Sequence, residues 1–142
     1  MKLEKRKIVI IGCGHVGVST AFCLINQGLC DEIALIDLNE EKVLGEVLDL
    51  SQSIEYMNRN THIKVGRYED CEDAQIVIIT ASVPTPQSGN DRLKMLEPSL
   101  NVMKSIITQI KEHHFDGHLI VVSNPVDLMS YYAYKLSGLP AN

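Results

Sequence analysis

Short, continuous apolar runs rich in β-branched residues recur along the chain. They are Ile8-Val9-Ile10-Ile11, Ile33-Ala34-Leu35-Ile36, Ile76-Val77-Ile78-Ile79 and Leu119-Ile120-Val121-Val122. Runs of this length without polar alternation are how strands buried on both faces read. A weaker segment, His62-Ile63-Lys64-Val65, alternates polar and apolar residues and fits an edge strand. Between these runs, helical spacing of apolar positions covers 16–26, 40–53, 92–112 and 127–137. Pro98 divides the third stretch. Proline suits the first turn of a helix, so 92–97 and 98–112 are expected as two helices or one kinked helix. Strand and helix thus alternate throughout, which predicts an α/β domain with a parallel sheet and helices on both faces. Right-handed crossovers leave the doubly wound strand order 3-2-1-4-5 as the expected topology. There is no internal repeat or linker, and the only long irregular segment is 81–91.

The 142 residues, 45% of them apolar, suffice for one core and hence one domain, spanning 1–142. A net charge of -5 argues against nucleic acid as a partner, because phosphate backbones are held by clustered cations. The basic start (Lys2, Lys5, Arg6, Lys7) is interrupted by Glu4. The apolar stretch behind it is too short for a signal peptide or a membrane span, so a cytoplasmic protein without a membrane partner is expected. The cysteines (Cys13, Cys23, Cys30, Cys71) form no Cys-x-x-Cys pair, so no metal site is expected. Cys23 reads as a small core residue on a helix. Cys13 would be reactive only if its loop left it open.

Gly12-Cys13-Gly14-His15-Val16-Gly17 fits G-x-G-x-x-G, and it follows the first strand and opens the first helix. In that context the first glycine permits a tight turn, the second lets backbone approach a pyrophosphate, and the third lets helix and strand pack closely. The positive end of the helix dipole then faces the phosphates. Twenty residues after Gly17, Asp37 closes the second strand, where a carboxylate can accept both hydroxyls of an adenosine ribose. It would repel a 2'-phosphate, and no Arg follows in Leu38-Asn39-Glu40-Glu41, so NAD is favoured over NADP. The competing reading makes Asp37 the cap of the helix beginning at Glu40. His15 reads as a solvent-facing loop residue beside the pyrophosphate.

With these motifs the chain resembles the lactate and malate dehydrogenase family from Lys7 to Asn142. The supporting segments are 45–51, 68–74, Thr80-Ala81, Asp91-Arg92-Leu93 and Val122-Ser123-Asn124-Pro125-Val126-Asp127. The resemblance implies a Rossmann fold whose cofactor is lined by Gly12, Cys13, Gly14, His15, Val16, Gly17, Asp37, Thr80, Ala81, Ser82, Asn101, Val122 and Asn124. It places Asn124 near nicotinamide and substrate, ahead of a cis Asn124–Pro125 bond. It also makes 81–91 a loop that carries Arg92 to the substrate carbonyl. The chemistry agrees, because hydride transfer to a ketone builds negative charge on oxygen that a guanidinium stabilises. From the residues alone, Arg92 reads as a surface charge at a helix start.

The resemblance further implies an oxidoreductase acting on a small 2-hydroxy or 2-oxo acid, and a homo-oligomer, dimer or tetramer. Family members that use malate carry an Arg early in the loop. Val83-Pro84-Thr85-Pro86-Gln87-Ser88-Gly89-Asn90 has none, so lactate or a larger 2-hydroxy acid such as 2-hydroxyisocaproate is preferred, with Gln87 an open candidate for specificity. Two other readings stay open: a nucleotide-binding module inactive by itself, and an NAD-dependent glycosidase of similar fold. The Tyr-x-x-x-Lys spacing of Tyr131 and Lys135 is read as coincidental, with Tyr131, Tyr132 and Tyr134 as packing residues.

Oxidising an alcohol needs a base, usually a His oriented by a carboxylate. His62, His113, His114 and His118 precede strands three and five and are expected at the edge opposite the site. The resemblance puts the base in a following catalytic domain, so this chain alone is expected to be inactive. It also implies a sixth strand beyond Asn142, which leaves the Leu119–Val122 run as an open apolar edge. Self-association along that edge is the expected outcome; a monodisperse monomer in sedimentation at high concentration would count against it.

Overall fold

The computed structural model describes residues 5–57, 59–83 and 95–140. Its elements are β1 (Lys7–Ile11), α1 (His15–Gln27), β2 (Glu32–Ile36), α2 (Glu40–Ile54), β3 (His62–Val65), a 3-10 turn (Tyr68–Cys71), β4 (Ile76–Ile79), α3 (Leu96–Glu112), β5 (His118–Val121) and α4 (Val126–Ser137). The strands form one parallel sheet in the order β3-β2-β1-β4-β5, as the alternation of patterns predicts.

Alternate strand residues divide between two cores because successive side chains point to opposite faces. Ile8, Ile10, Ile33 and Leu35 meet Ala21 and Ile25 of α1 and Val43, Val47 and Leu50 of α2. Val9, Ile11, Ala34, Ile36, Val77 and Ile79 meet Met103, Ile106, Ile107 and Ile110 of α3 and Met129 and Ala133 of α4. Each fully buried aliphatic side chain contributes about 1.5–3 kcal/mol relative to exposure. The central strands therefore fix the sheet, and the helices are held by one apolar stripe each.

Helix ends follow local chemistry. Gly28 closes α1 in the left-handed region (φ 64°), and its N–H bonds back to Ile25. The Asn39 side chain caps α2 by accepting from the Lys42 N–H at 3.0 Å, with Glu40 and Glu41 favourable at the positive end of the dipole. Pro98 neither splits nor bounds α3. It is the third residue of one helix, where the backbone N–H has no helical partner to lose.

Two readings of helix surfaces need correction. Cys23 is exposed on α1, outside the core. Tyr131 is 61% exposed and Tyr134 is exposed as well, so only Tyr132 of the three tyrosines packs against the core. The Lys135 ammonium lies 5.3 Å from the centre of the Tyr131 ring and 5.6 Å from that of Tyr134. Both distances are within the range of cation–π attraction.

The basic start is neutralised at the N-terminal end of the sheet. Arg6 forms a two-point ion pair with Asp31 (2.7 and 3.1 Å), and Lys5 pairs with Glu32. Lys7 is buried at 5% exposure, with Asp73 at 2.5 Å, Asp70 at 3.0 Å and the buried Glu32 at 3.6 Å. Lys64 of β3 completes the network with Asp70 at 2.6 Å and Glu32 at 3.2 Å. Burial alone would raise the Asp70 carboxyl, but hydrogen bonds from Lys64, the Arg67 N–H and Lys7 outweigh it and hold the group at about 2. The Lys7 ammonium is pushed up, because bonds to Asp73 and Asp70 overcome its desolvation. A carboxyl lowered on folding stabilises the protein above its unfolded value near 4, and that contribution is lost as pH falls toward about 2. The raised ammonium contributes below its ordinary value near 10.5, a gain lost above it.

Lys7→Met keeps the length but removes the buried cation of the network, leaving Lys64 alone against Asp70 and only Lys5 and Lys64 against Glu32. It should cost on the order of 3 kcal/mol in chemical denaturation at pH 7. The gap should narrow at pH 3, where carboxyls left with one cation fewer take up protons more readily; a gap independent of pH would contradict the network's role.

Candidate functional site

In a parallel α/β sheet, ligands bind at the carboxyl ends of the strands, where the strand order reverses. Here the reversal falls between β1 and β4, and the loop leaving β1 is the glycine loop. Gly12 has a φ of 108°, and its N–H bonds to the Ile36 carbonyl at 2.8 Å. A side chain there would strike the Ala81 backbone at 2.4 Å. At Gly17 a Cβ would lie 1.9 Å from the Gly12 carbonyl oxygen and 2.8 Å from the Thr80 hydroxyl. At Gly14, by contrast, nothing lies within 4 Å of a would-be Cβ. Two of the glycines are thus demanded by packing, and the middle one faces open space.

Gly14 is also the N-cap of α1. No side chain caps this end, and no acidic residue occupies its first turn. An uncapped helix N-terminus behind a side-chain-free cradle suits an anion. His15 and Val16 at that end are exposed.

Asp37 is not the cap of α2, a role Asn39 fills. Its carboxylate instead accepts the Cys13 N–H at 2.7 Å through Oδ2 and the Asn39 N–H at 3.1 Å through Oδ1. Each oxygen keeps a lone pair for a further donor. The buried Cys13 thiol faces the Ile36 carbonyl at 3.6 Å, and burial together with the Asp37 charge pushes it up to about 12. It stays protonated and is no nucleophile.

On the other side of the glycine loop, β4 is followed by Thr80 and Ala81, whose N–H groups both bond to the Ile11 carbonyl (2.9 and 3.0 Å). The Thr80 hydroxyl donates to the Gly12 carbonyl at 2.7 Å. Beyond β5, the Val122 N–H bonds to Ile79 at 2.9 Å, and the buried Ser123 hydroxyl donates to the Ala81 carbonyl at 2.6 Å. Asn124 follows, exposed, and its bond to Pro125 is cis. A crevice is lined here by Ala81, Ser82, Ser99, Met103, Ser123 and Asn124.

The structure therefore gathers the glycine loop, Asp37, Thr80, Ala81, Ser82, Val122 and Asn124 at one end of the sheet. Asn101 is exposed on α3 and does not line that crevice, which receives Ser99 and Met103 from the same helix. Arg92 and Gln87 lie outside the described residues. His62 and His118 open their strands at the far end of the sheet. His113 ends α3, just ahead of the strand that His118 opens, and shares the lining of a cleft with Gly66 and Tyr68. Ser123 was part of a motif in the sequence without a role of its own; its signal was a hydroxyl next to Asn-Pro.

The family described as lactate/malate dehydrogenase, NAD binding domain, matches residues 6–142. The chain belongs to that family. Among the family's curated members, L-lactate dehydrogenase 3 of Bacillus anthracis is 49% identical over 142 residues, all of this chain and 45% of that protein. The L-lactate dehydrogenase of Lactococcus lactis subsp. cremoris (strain NZ9000) is 45% identical over 139 residues, 98% of this chain and 44% of that protein. Among solved structures, the minor L-lactate dehydrogenase from Enterococcus mundtii in its ligands-bound form superposes with a TM-score of 0.92. It is 41% identical and covers 96% of this chain and 43% of its own. The chain spans under half the length of these relatives. The family's cofactor is NAD, and the open cradle at Gly14 beside the Asp37 carboxylate fits it. Among the described residues no His, Cys, Asp or Glu group could hold a metal ion, and no helix is long and apolar enough to cross a membrane.

The glycines separate by what surrounds them. Gly17→Ala should cost about 3 kcal/mol or more, since backbone must move. Gly14→Ala should cost only about 1 kcal/mol, the penalty of Ala at an N-cap. Thermal unfolding of both variants checks this, and equal losses would contradict the packing described.

Proposed function

We propose that this chain binds NAD across the switch point of its sheet and serves an L-2-hydroxy acid dehydrogenase, with lactate and pyruvate as the preferred pair. The observation that carries the reading is the tie between Asp37 and the Cys13 N–H, which sets a carboxylate beside the open cradle at Gly14. An adenosine ribose on Asp37 and a pyrophosphate at Gly14 leave one direction for the second nucleoside. It runs over the ends of β4 and β5, past Ala81, Ser82, Val122 and Asn124. The amides of α1 stabilise phosphate charge, while Gly12 and Gly17 let the helix approach closely enough to do so. Cys13, His15 and Val16 contribute backbone and loop surface to this arrangement.

NAD, when bound, supplies the two-electron hydride chemistry. Asn124 would present its amide to the nicotinamide and substrate end. Arg92 would meet the carbonyl oxygen, where its charge opposes the charge that builds there. The proton of the substrate hydroxyl requires a base from the part of the protein corresponding to the remainder of its relatives. Lactate is preferred to malate because 83–90 offers no second cation for a distal carboxylate. Assembly as a homo-oligomer in the cytoplasm belongs to the same proposal; exposed Leu44 and Leu48 on α2 and Phe22 on α1 support the assembly.

NADH fluorescence titration tests the binding. Asp37→Asn keeps an acceptor for the Cys13 N–H but removes the charge, and should weaken NADH about tenfold while narrowing the preference for NADH over NADPH. Unchanged affinity and preference would overturn the assignment. In the absence of added domains, no turnover of pyruvate is expected.

A further inference from the structure

The end of β4 is held from both sides by hydroxyl groups. Thr80 Oγ1 reaches across to the Gly12 carbonyl at 2.7 Å, the same oxygen that crowds Gly17. From the other side, Ser123 Oγ reaches the Ala81 carbonyl at 2.6 Å, with the Ile79 carbonyl farther away at 3.4 Å. Thr80 and Ala81 are adjacent, so the two bonds join the β1 glycine loop, the end of β4 and the β5–α4 turn into one strip. A hydroxyl has a single proton. Each of these protons is already given to a backbone carbonyl, so neither hydroxyl can donate to a phosphate or to a carboxamide. Resting on the NAD reading above, we propose that Thr80 and Ser123 are positioning residues with divided duties. Thr80 sets the glycine loop for the pyrophosphate. Ser123 sets the Asn124 turn for the nicotinamide.

The division follows from where the bonds lie. Loss of the Thr80 hydroxyl frees the Gly12 carbonyl and hence the turn ahead of Gly14. Its effect should fall on any ligand with a pyrophosphate. Loss of the Ser123 hydroxyl frees the turn at Asn124 and leaves the bonds of Gly12 and Asp37 intact. Its effect should fall only on ligands that extend over β4 and β5. NADH and ADP-ribose separate these cases, since both carry the adenosine and pyrophosphate and only NADH carries the nicotinamide.

The experiment is calorimetric titration of the 142-residue chain with each ligand. Thr80→Val, which keeps the shape, should weaken NADH and ADP-ribose by the same factor, about tenfold, and Thr80→Ser should restore both. Ser123→Ala should weaken NADH about fivefold or more and leave ADP-ribose within about twofold of the parent. Should Ser123→Ala fail to fold, Ser123→Cys, a weak donor of similar shape, carries the comparison. Equal effects of the Ser123 variant on the two ligands, or a failure of Thr80→Ser to restore binding, would overturn the division while leaving the cofactor reading standing. A parent chain that binds neither ligand would overturn the cofactor reading, and this proposal with it.

Discussion

Among the described glycines a side chain would be most crowded at Gly17, where its first carbon would begin 1.9 Å from the Gly12 carbonyl oxygen. This contact brings α1 down onto the end of β1 and aims the helix N-terminus at the point where strand order reverses. The Thr80 hydroxyl binds the same carbonyl, so β4 is drawn into register with the loop. The Asp37 carboxylate holds the next residue along, Cys13, from the β2 side. Three strand ends therefore converge on a turn of a few residues, and that convergence requires the missing side chains at Gly12 and Gly17.

The two ends of the sheet are built from different materials. At the amino ends, charge is buried and matched among Lys7, Glu32, Lys64 and Asp70, which locks β1, β2, β3 and the 3-10 turn together. A network of this kind is costly to break but does little for net stability; its value lies in fixing one arrangement. At the carboxyl ends the contacts are mostly backbone amides, carbonyls and small hydroxyls, with Asp37 the one carboxylate bonded into the loop among the described residues. The charged base thus contrasts with an opposite end whose contacts among the described residues are mostly backbone and hydroxyl.

Much of this was legible in the chain. The continuous apolar runs marked the strands, and those of β1 and β2 are buried on both faces; β5 is not, with Ile120 exposed on this outermost strand and Val122 exposed just beyond it, while the order of glycine loop, helix and acid picked out the candidate site. What escaped depended on tertiary choice. Cys23, Tyr131 and Tyr134 lie on helices whose docked stripe is narrower than their apolar character suggests. Pro98 looked like a break because the local pattern does not reveal where the first helical hydrogen bond forms. Asp37 also read as the cap of α2, and only the structure, with Asn39 in that role and the Cys13 N–H on the Asp37 carboxylate, sets that reading aside. The network around Lys7 joins residues far apart in the chain, and a run of cations gives no sign of the acids that meet it.

The bare start of α1 has a thermodynamic consequence. Its first-turn amides find no side-chain acceptor, so the helix lacks the stabilisation of roughly a few tenths of a kcal/mol by which a capping side chain betters glycine. A dinucleotide seated at Gly14 would supply the missing acceptors from its own oxygens. By mass action, ligand at a hundredfold over its dissociation constant adds about 2.7 kcal/mol to the folded state. Capping of α1 and occupation of the site are then one event, so the ligand-free chain would be the one that unfolds more readily.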